Sequence, residues 1–219
     1  GLSLQGAVSL GDYIYTSNPE FTQMIDNSAT DVVHSRVNWK GMKVESTPQT
    51  AINVGLNFLG PNNWFASVDF NYYDRLYLSM NPMYRTEYLA NEIKRIYDWN
   101  NLETGRQKAY VVGIIDEIRQ QEDLGNAYTL SASIGKNFRI KYKYTLGFSL
   151  QVNNILNNQR IRTGGYEQMR LNKLSDPIIF PNADGEMVIT KKPTTYSRFD
   201  SKYFYMNGIN YYLNIYFRF

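Results

Sequence analysis

Strict alternation of apolar and polar side chains recurs in six separate segments of this chain, and nothing else in the sequence restricts its fold as strongly. Near the start, Leu2, Leu4, Val8 and Leu10 share one face, with Ser3, Gln5, Ser9 and Gly11 on the other. In "TAINVGLNF", Ile52, Val54, Leu56 and Phe58 alternate with Asn53, Gly55 and Asn57. "WFASVDFNYY" sets Trp64, Ala66, Val68, Phe70 and Tyr72 against Ser67, Asp69 and Asn71, with Phe65 breaking the polar face. "AYTLSASIG" sets Tyr128, Leu130, Ala132 and Ile134 against Thr129, Ser131, Ser133 and Gly135. In "KYKYTLGFSLQVNN", Tyr142 to Val152 alternate with Lys143 to Asn153, and the closing "NYYLNIYFRF" places Tyr211, Leu213, Ile215, Phe217 and Phe219 on one face. Such segments are strands with two unlike faces.

Two environments produce this pattern: the half-buried sheet of a soluble sandwich and the wall of a membrane barrel. The polar face distinguishes them. It is made of Ser, Thr, Asn, Gln and Gly rather than Lys and Glu, which suits a wide, wet lumen. Each segment has roughly the 9–11 residues that cross a bilayer when tilted. The connections alternate in length. "LGPNN" joins the second segment to the third and almost nothing separates the fourth from the fifth, whereas Asn18 to Lys43, Ser79 to Asn126 and Asn154 to Tyr203 are long. Outer-membrane barrels have short periplasmic turns and long extracellular loops. On that assignment the last strand runs downward and Phe219 lies at the periplasmic side. The expected fold is all-β, an antiparallel transmembrane β-barrel segment with long extracellular loops.

Composition agrees. Mean hydropathy is −0.45, and apolar runs fall far short of the roughly 20 residues of a spanning helix. The chain has 19 Tyr, 11 Phe and 3 Trp, side chains suited to sheet surfaces and membrane boundaries. A net charge of +3 from 23 basic and 20 acidic residues is too balanced to point to nucleic acid. The absence of cysteine excludes disulfides and thiolate metal sites. Within the second long connection, Thr86 precedes Tyr88, Leu89, Ile93, Ile96 and Tyr97 at helical spacing, and Val111, Val112, Ile115 and Ile118 follow the same period. Two short helices are expected there, packing on each other and on the rim, or presenting a docking or lid surface.

Chemistry is not expected. His34 is the only histidine, too little for a metal centre or a triad. "NADGE", Asn182 to Glu186, lacks the acidic repeat of a calcium loop and reads as an Asp-Gly hairpin turn between "PIIF" and "MVIT". Asp116, Glu117, Glu122 and Asp123 read as a solvated helix face. No nucleophile elbow, P-loop or dinucleotide fingerprint is present. The expectation is no enzyme, no cofactor and no metal. Cargo contacts are expected from the polar face, at Asp69, Asn71, Arg139, Lys143, Gln151 and Asn153, joined by Tyr84, Arg85, Trp99 and Arg162 from the loops.

Several stretches taken in order resemble one family. "GMKVESTPQTAINVGLNF", then "WFASVDFNYYDRLYLSMNPMYRT", then "LGFSLQVNNILNNQ", and the terminal "YYLNIYFRF" are similar to the C-terminal part of TonB-dependent outer-membrane receptors of the Bacteroidota (SusC-like) type. The resemblance spans essentially the whole chain. It implies that residues 1–219 are the last six or so strands of a barrel of roughly 22, with the plug domain outside this sequence. An open six-stranded sheet would leave two edges in hydrocarbon, so the chain is expected to be one part of a receptor. The resemblance further implies a Gram-negative outer membrane and energy-coupled import of a scarce nutrient: glycan, peptide, siderophore or cobalamin. Its implied partners are the TonB–ExbB–ExbD motor, the barrel-assembly machinery, membrane lipid and a SusD-like surface lipoprotein. Tyr211, Leu213, Ile215, Phe217 and Phe219 are implied as the assembly signal. A passive porin-like or adhesive barrel and a soluble sandwich are the other classes open at this point.

Overall fold

The computed structural model describes residues 1–24, 32–141, 143–174, 178–182, 184–190 and 195–219. One six-stranded antiparallel sheet dominates it, built from β1 (Leu2–Leu10), β4 (Thr50–Leu59), β5 (Trp64–Asp74), β6 (Ala127–Ile140), β7 (Tyr144–Asn153) and β14 (Asn210–Arg218), adjacent in that order. These are the six alternating segments. Tyr142, expected on the apolar face, lies outside the described residues.

The register puts like faces together. One row runs Leu4, Leu56, Val68, Ala132, Val152, Tyr211, and the next runs Leu2, Phe58, Ala66, Ile134, Leu150, Leu213. The intervening row, Ser3, Asn57, Ser67, Ser133, Gln151 and Tyr212, faces the other way. The sheet is staggered. β5 makes its last pair with β6 at Trp64–Lys136, but β6 continues to pair with β7 as far as Ile140–Tyr144. At the opposite margin Tyr73 pairs with Ala127, whereas the β6–β7 ladder stops at Ala132–Val152.

The two hairpins at the short-connection end are tight for local reasons. In Gly60–Asn63, Asn62 and Asn63 take left-handed backbone angles (φ 57° and 60°), which asparagine tolerates, and the Gly60 N–H donates to the Trp64 carbonyl at 2.8 Å. In the other, Lys141 has φ 51° and the Lys143 N–H donates to the Ile140 carbonyl. Phe65, which interrupts the polar face, lies directly over Gly135, its cross-strand partner. Tyr216 covers Gly147 in the same way and donates to Asn137 Oδ1 at 2.6 Å.

Six strands do not exhaust the fold. The long connections hold further short pairs: β2 (Glu20–Met24) with β3 (Val32–Arg36), β8 (Arg162–Tyr166) with β13 (Lys202–Tyr205), β9 (Leu171–Leu174) with β12 (Thr195–Arg198), and β10 (Ile178–Pro181) with β11 (Met187–Thr190). The last is the anticipated Asp-Gly hairpin, with Gly185 at φ 89° and the Asn182 N–H donating to the Glu186 carbonyl; its Ala183 lies outside the described residues. The expected six-strand count therefore holds for the sheet alone. The others are only four or five residues long, too short to show a period.

Both helices form where expected, α1 at Glu87–Ile96 and α2 at Gly105–Arg119. Thr86 caps α1, accepting from the Leu89 N–H, and Thr104 and Gln107 form a reciprocal capping box on α2. Leu89, Ala90, Ile93 and Tyr97 pack on Val111, Ile115 and Ile118, with Tyr84. Tyr88 and Val112, read as part of the apolar faces, are exposed. Because α2 ends at Arg119, Glu122 and Asp123 are not on a helix; only Asp116 and Glu117 form the solvated face.

The core lies in this loop assembly and not on the sheet. Among the described residues, the buried apolar side chains come from the connections, with Ala127 at the start of β6 the one from the sheet. The sheet's apolar face is open: Leu4 is 74% exposed, Leu56 42%, Val68 44% and Leu213 60%. No described helix is long and apolar enough to cross a membrane.

Candidate functional site

The polar face is a ladder of amides and hydroxyls. Asn53 donates to Asn71 Oδ1 at 2.9 Å, and Asn71 to Thr129 Oγ1 at 3.5 Å. Ser67 lies 2.9 Å from Ser133 and donates to Asp69 Oδ2. Gln151 donates to Asn153, which donates to Asn210. These residues sit at the same face because they occupy matching register positions. The result is a polar surface of amide and hydroxyl donors and acceptors that includes one carboxylate, Asp69. Toward the long connections it opens into a cavity of about 400 Å³ whose lining includes Thr129, Ser131, Asn153, Thr163 and Tyr205.

Of the residues expected to meet cargo, Asp69, Asn71, Gln151 and Asn153 share this surface. Arg139 and Lys143 lie at its opposite margin, by the β6–β7 hairpin, exposed and away from that cavity. Arg162 packs 4.1 Å from the centre of the Tyr203 ring and is 3.4 Å from Glu122 Oε1, which also accepts from the Tyr203 hydroxyl at 2.5 Å. Burial, then the Glu122 carboxylate, push the Tyr203 phenol up from its ordinary pKa. Glu122 and Tyr203 border a second polar cavity of about 460 Å³ between Gln120–Asp123, just after α2, and the segment from Arg198 to Tyr203. Trp99 lies on the helical rim, its ring 5.1 Å from Lys94 Nζ and 5.9 Å from Lys108 Nζ.

Tyr84 and Arg85 do not face solvent. They are 1% and 0% exposed. Arg85 donates to both oxygens of Glu167, to the Asn81 carbonyl and to the Gln120 carbonyl. Glu167 also accepts from the Asn81 N–H at 2.7 Å and from Arg198 at 2.8 Å. The Arg85 carbonyl accepts from the Asn38 N–H. Arg85 thus ties all three long connections together, and Tyr84 adds a hydrogen bond to the Arg170 carbonyl. Arginine in a polar loop is ordinarily solvated. Here a fully buried carboxylate compensates it, and no spacing in the sequence announces that partner. The same absence of signal hides Glu167, Arg198 and Tyr203; Asn81, whose Oδ1 accepts from the Met83 N–H at 3.0 Å, was missed although an Asn before a proline is a local cap signal.

No group of three or more metal-ligating side chains occurs among the described residues, and His34 meets Thr22 at 3.0 Å across β2–β3. No protein-family model, curated protein or solved structure matches the chain.

Proposed function

We propose that the six-stranded sheet is one wall of an outer-membrane β-barrel and that the protein imports a scarce nutrient by binding and gating, coupled to a TonB-type motor through parts outside this sequence. The observation that carries the membrane reading is the inverted burial. The core is in the loops, while six strands present a continuous apolar face with Leu4, Leu56, Val68 and Leu213 exposed. Soluble monomers rarely expose contiguous apolar patches beyond a few hundred Å². Hydrocarbon is the solvent in which that face is stable, and the amide-and-hydroxyl face then lines a wet interior. The unpaired outer edges of β1 and β14 require further strands in such a setting.

Import rather than passive permeation is supported by the sequence resemblance and by the loop assembly, which is tied by Arg85 and Glu167 into a packed cap with polar cavities of about 400 and 460 Å³. Cargo rich in hydroxyls and amides, such as a glycan or peptide, matches the Asn, Ser, Thr and Tyr that line the 400 Å³ cavity; a siderophore or cobalamin is the other cargo class of the family resembled. A SusD-like lipoprotein would sit on the outer loops. The second reading is a passive porin-like or adhesive barrel.

Intact-mass measurement of the native polypeptide extracted from outer membranes, with mapping of its N-terminal side, tests this. A chain several times longer than 219 residues that begins with a plug supports the transporter. A long chain with no plug favours the passive barrel, and a native chain that stays soluble without detergent overturns the membrane reading.

A further inference from the structure

Between the Leu10–Thr50–Asp74 row and the hairpin margin, the apolar face of the sheet carries one charge, Lys136. Its cross-strand neighbours are Trp64 and Phe148, and its same-face neighbours along β6 are Ile134 and Phe138. None is charged. The ammonium lies 4.7 Å from the Trp64 ring centre and 4.9 Å from that of Phe138. Phe148 closes the group, edge-on to Trp64 and stacked on Phe138, both at 6.1 Å. Two aromatic rings, braced by a third, therefore hold one lysine on an otherwise apolar face.

An ammonium on such a face is costly unless it reaches the polar boundary. Trp64 opens β5 directly after the short turn, so the cluster sits at the short-connection margin, where Trp and Lys mark a membrane–water interface. The rings hold the charge by cation–π attraction but do not neutralise it. Among the described residues no acidic side chain pairs with Lys136, so its counter-charge is sought outside the chain. That partner must also tolerate Ile134, Leu150 and Leu213 in the row immediately above. An anionic headgroup attached to an acyl chain satisfies both demands; a free anion satisfies only the first.

We propose that Trp64, Lys136, Phe138 and Phe148 form a docking point for the phosphate of an anionic phospholipid in the leaflet facing the short hairpins. This rests on the membrane reading above, and the test separates the two. The native protein is reconstituted into phosphatidylcholine bilayers containing brominated phosphatidylglycerol or brominated phosphatidylcholine. The Trp64 part of the emission is isolated by subtraction of a Trp64→Phe variant. Phosphatidylglycerol is expected to occupy the site with about fivefold the relative binding constant of phosphatidylcholine, the increment of one lysine at an anionic surface. Lys136→Gln brings the ratio to about one and Lys136→Arg retains it. An equal ratio in wild type and Lys136→Gln, with Trp64 quenched in both, overturns the docking point and leaves the membrane reading standing. Trp64 quenched by neither lipid overturns the membrane reading and this inference with it.

Discussion

Arg85 and Glu167, 82 residues apart, form a doubly hydrogen-bonded ion pair with side chains 0% and 1% exposed. Removing one partner of such a pair strands a buried charge, at a cost of about 3–5 kcal/mol. Glu167→Ala should therefore loosen the loop assembly while the sheet stays paired. Hydrogen exchange should show lost protection in α1 and α2 with β5–β6 unchanged. An Arg85→Met/Glu167→Leu double variant should recover part of the protection, since it leaves no unpaired charge at position 85, although Arg198 and the Asn81 N–H still lose Glu167; equal loss in both variants would refute the ion-pair account.

The two helix caps should differ in weight. Thr104 caps α2 on a partly exposed surface, and its replacement by alanine should cost about 1 kcal/mol. Thr86 is buried, accepts from the Leu89 N–H and donates to the Met83 carbonyl at 2.8 Å. Thr86→Ala also removes that second bond, leaving the Met83 carbonyl only the 3.3 Å bond from the residue 86 N–H, and adds about 0.5–1.5 kcal/mol. Thermal unfolding of the two variants, followed by helical circular dichroism, should rank Thr86→Ala as the more destabilised.

Tyr15 should show a late titration. Its hydroxyl donates to Glu45 at 2.8 Å, and burial, followed by the Glu45 carboxylate, pushes its pKa up to about 12 from 10.0. The folded protein holds this proton more tightly than the unfolded chain. The resulting stability is fully present below pH 10 and is lost as pH rises toward 12. Tyrosine ζ-carbon NMR, assigned with Tyr15→Phe, should place this residue's transition well above that of exposed tyrosines. Glu45→Gln should move it back down; an unmoved transition would remove Glu45 from the explanation.

Gly135 and Gly147 each lie under an aromatic ring, but a methyl group would meet different atoms. At Gly135 a Cβ would come 2.3 Å from the Phe65 ring and 2.6 Å from the backbone carbonyl oxygen of Phe148. At Gly147 the nearest atoms belong to the side chains of Tyr216 and Asn137. Gly135→Ala should therefore destabilise by about 1–3 kcal/mol, and Phe65→Ala should not rescue it fully. Gly147→Ala should cost less because side chains can rotate away. The temperature at which each variant loses its compact mobility on detergent gels provides the comparison.

The sheet was legible because its period is written into residues such as Leu4, Leu56, Val68 and Leu213, and the helices because Leu89, Ile93, Val111 and Ile115 repeat at their own spacing. Local turn chemistry at Asn62, Asn63 and Gly185 was legible for the same reason: it acts within a few residues. What failed was non-local. β8 finds its partner β13 across an intervening chain, with Tyr166 opposite Lys202. Arg85 was expected to meet cargo because its compensation lies in Glu167, which no pattern connects to it. Glu122 was placed on a helix that stops at Arg119, three residues too soon.

The stagger of the sheet sets the geometry of anything it joins. Past Trp64–Lys136 the ladder continues four residues to Ile140 on one margin, and on the other it retreats from Ala127 to Ala132. The sheet is thus a parallelogram. At ~3.3 Å per residue and ~4.8 Å between strands, its margins climb about 15 Å over about 24 Å of width. If both margins are level with the faces of a flat slab, the strands lean by about 30°. A hydrogen-bonded row such as Leu4 to Tyr211 then runs obliquely, and on a closed cylinder it becomes a spiral. Followed once around, it would not return to Leu4 but to a position displaced along β1. In a closed barrel, strands flanking β1 and β14 would have to supply that displacement, and their register would be constrained by residues already present in this chain.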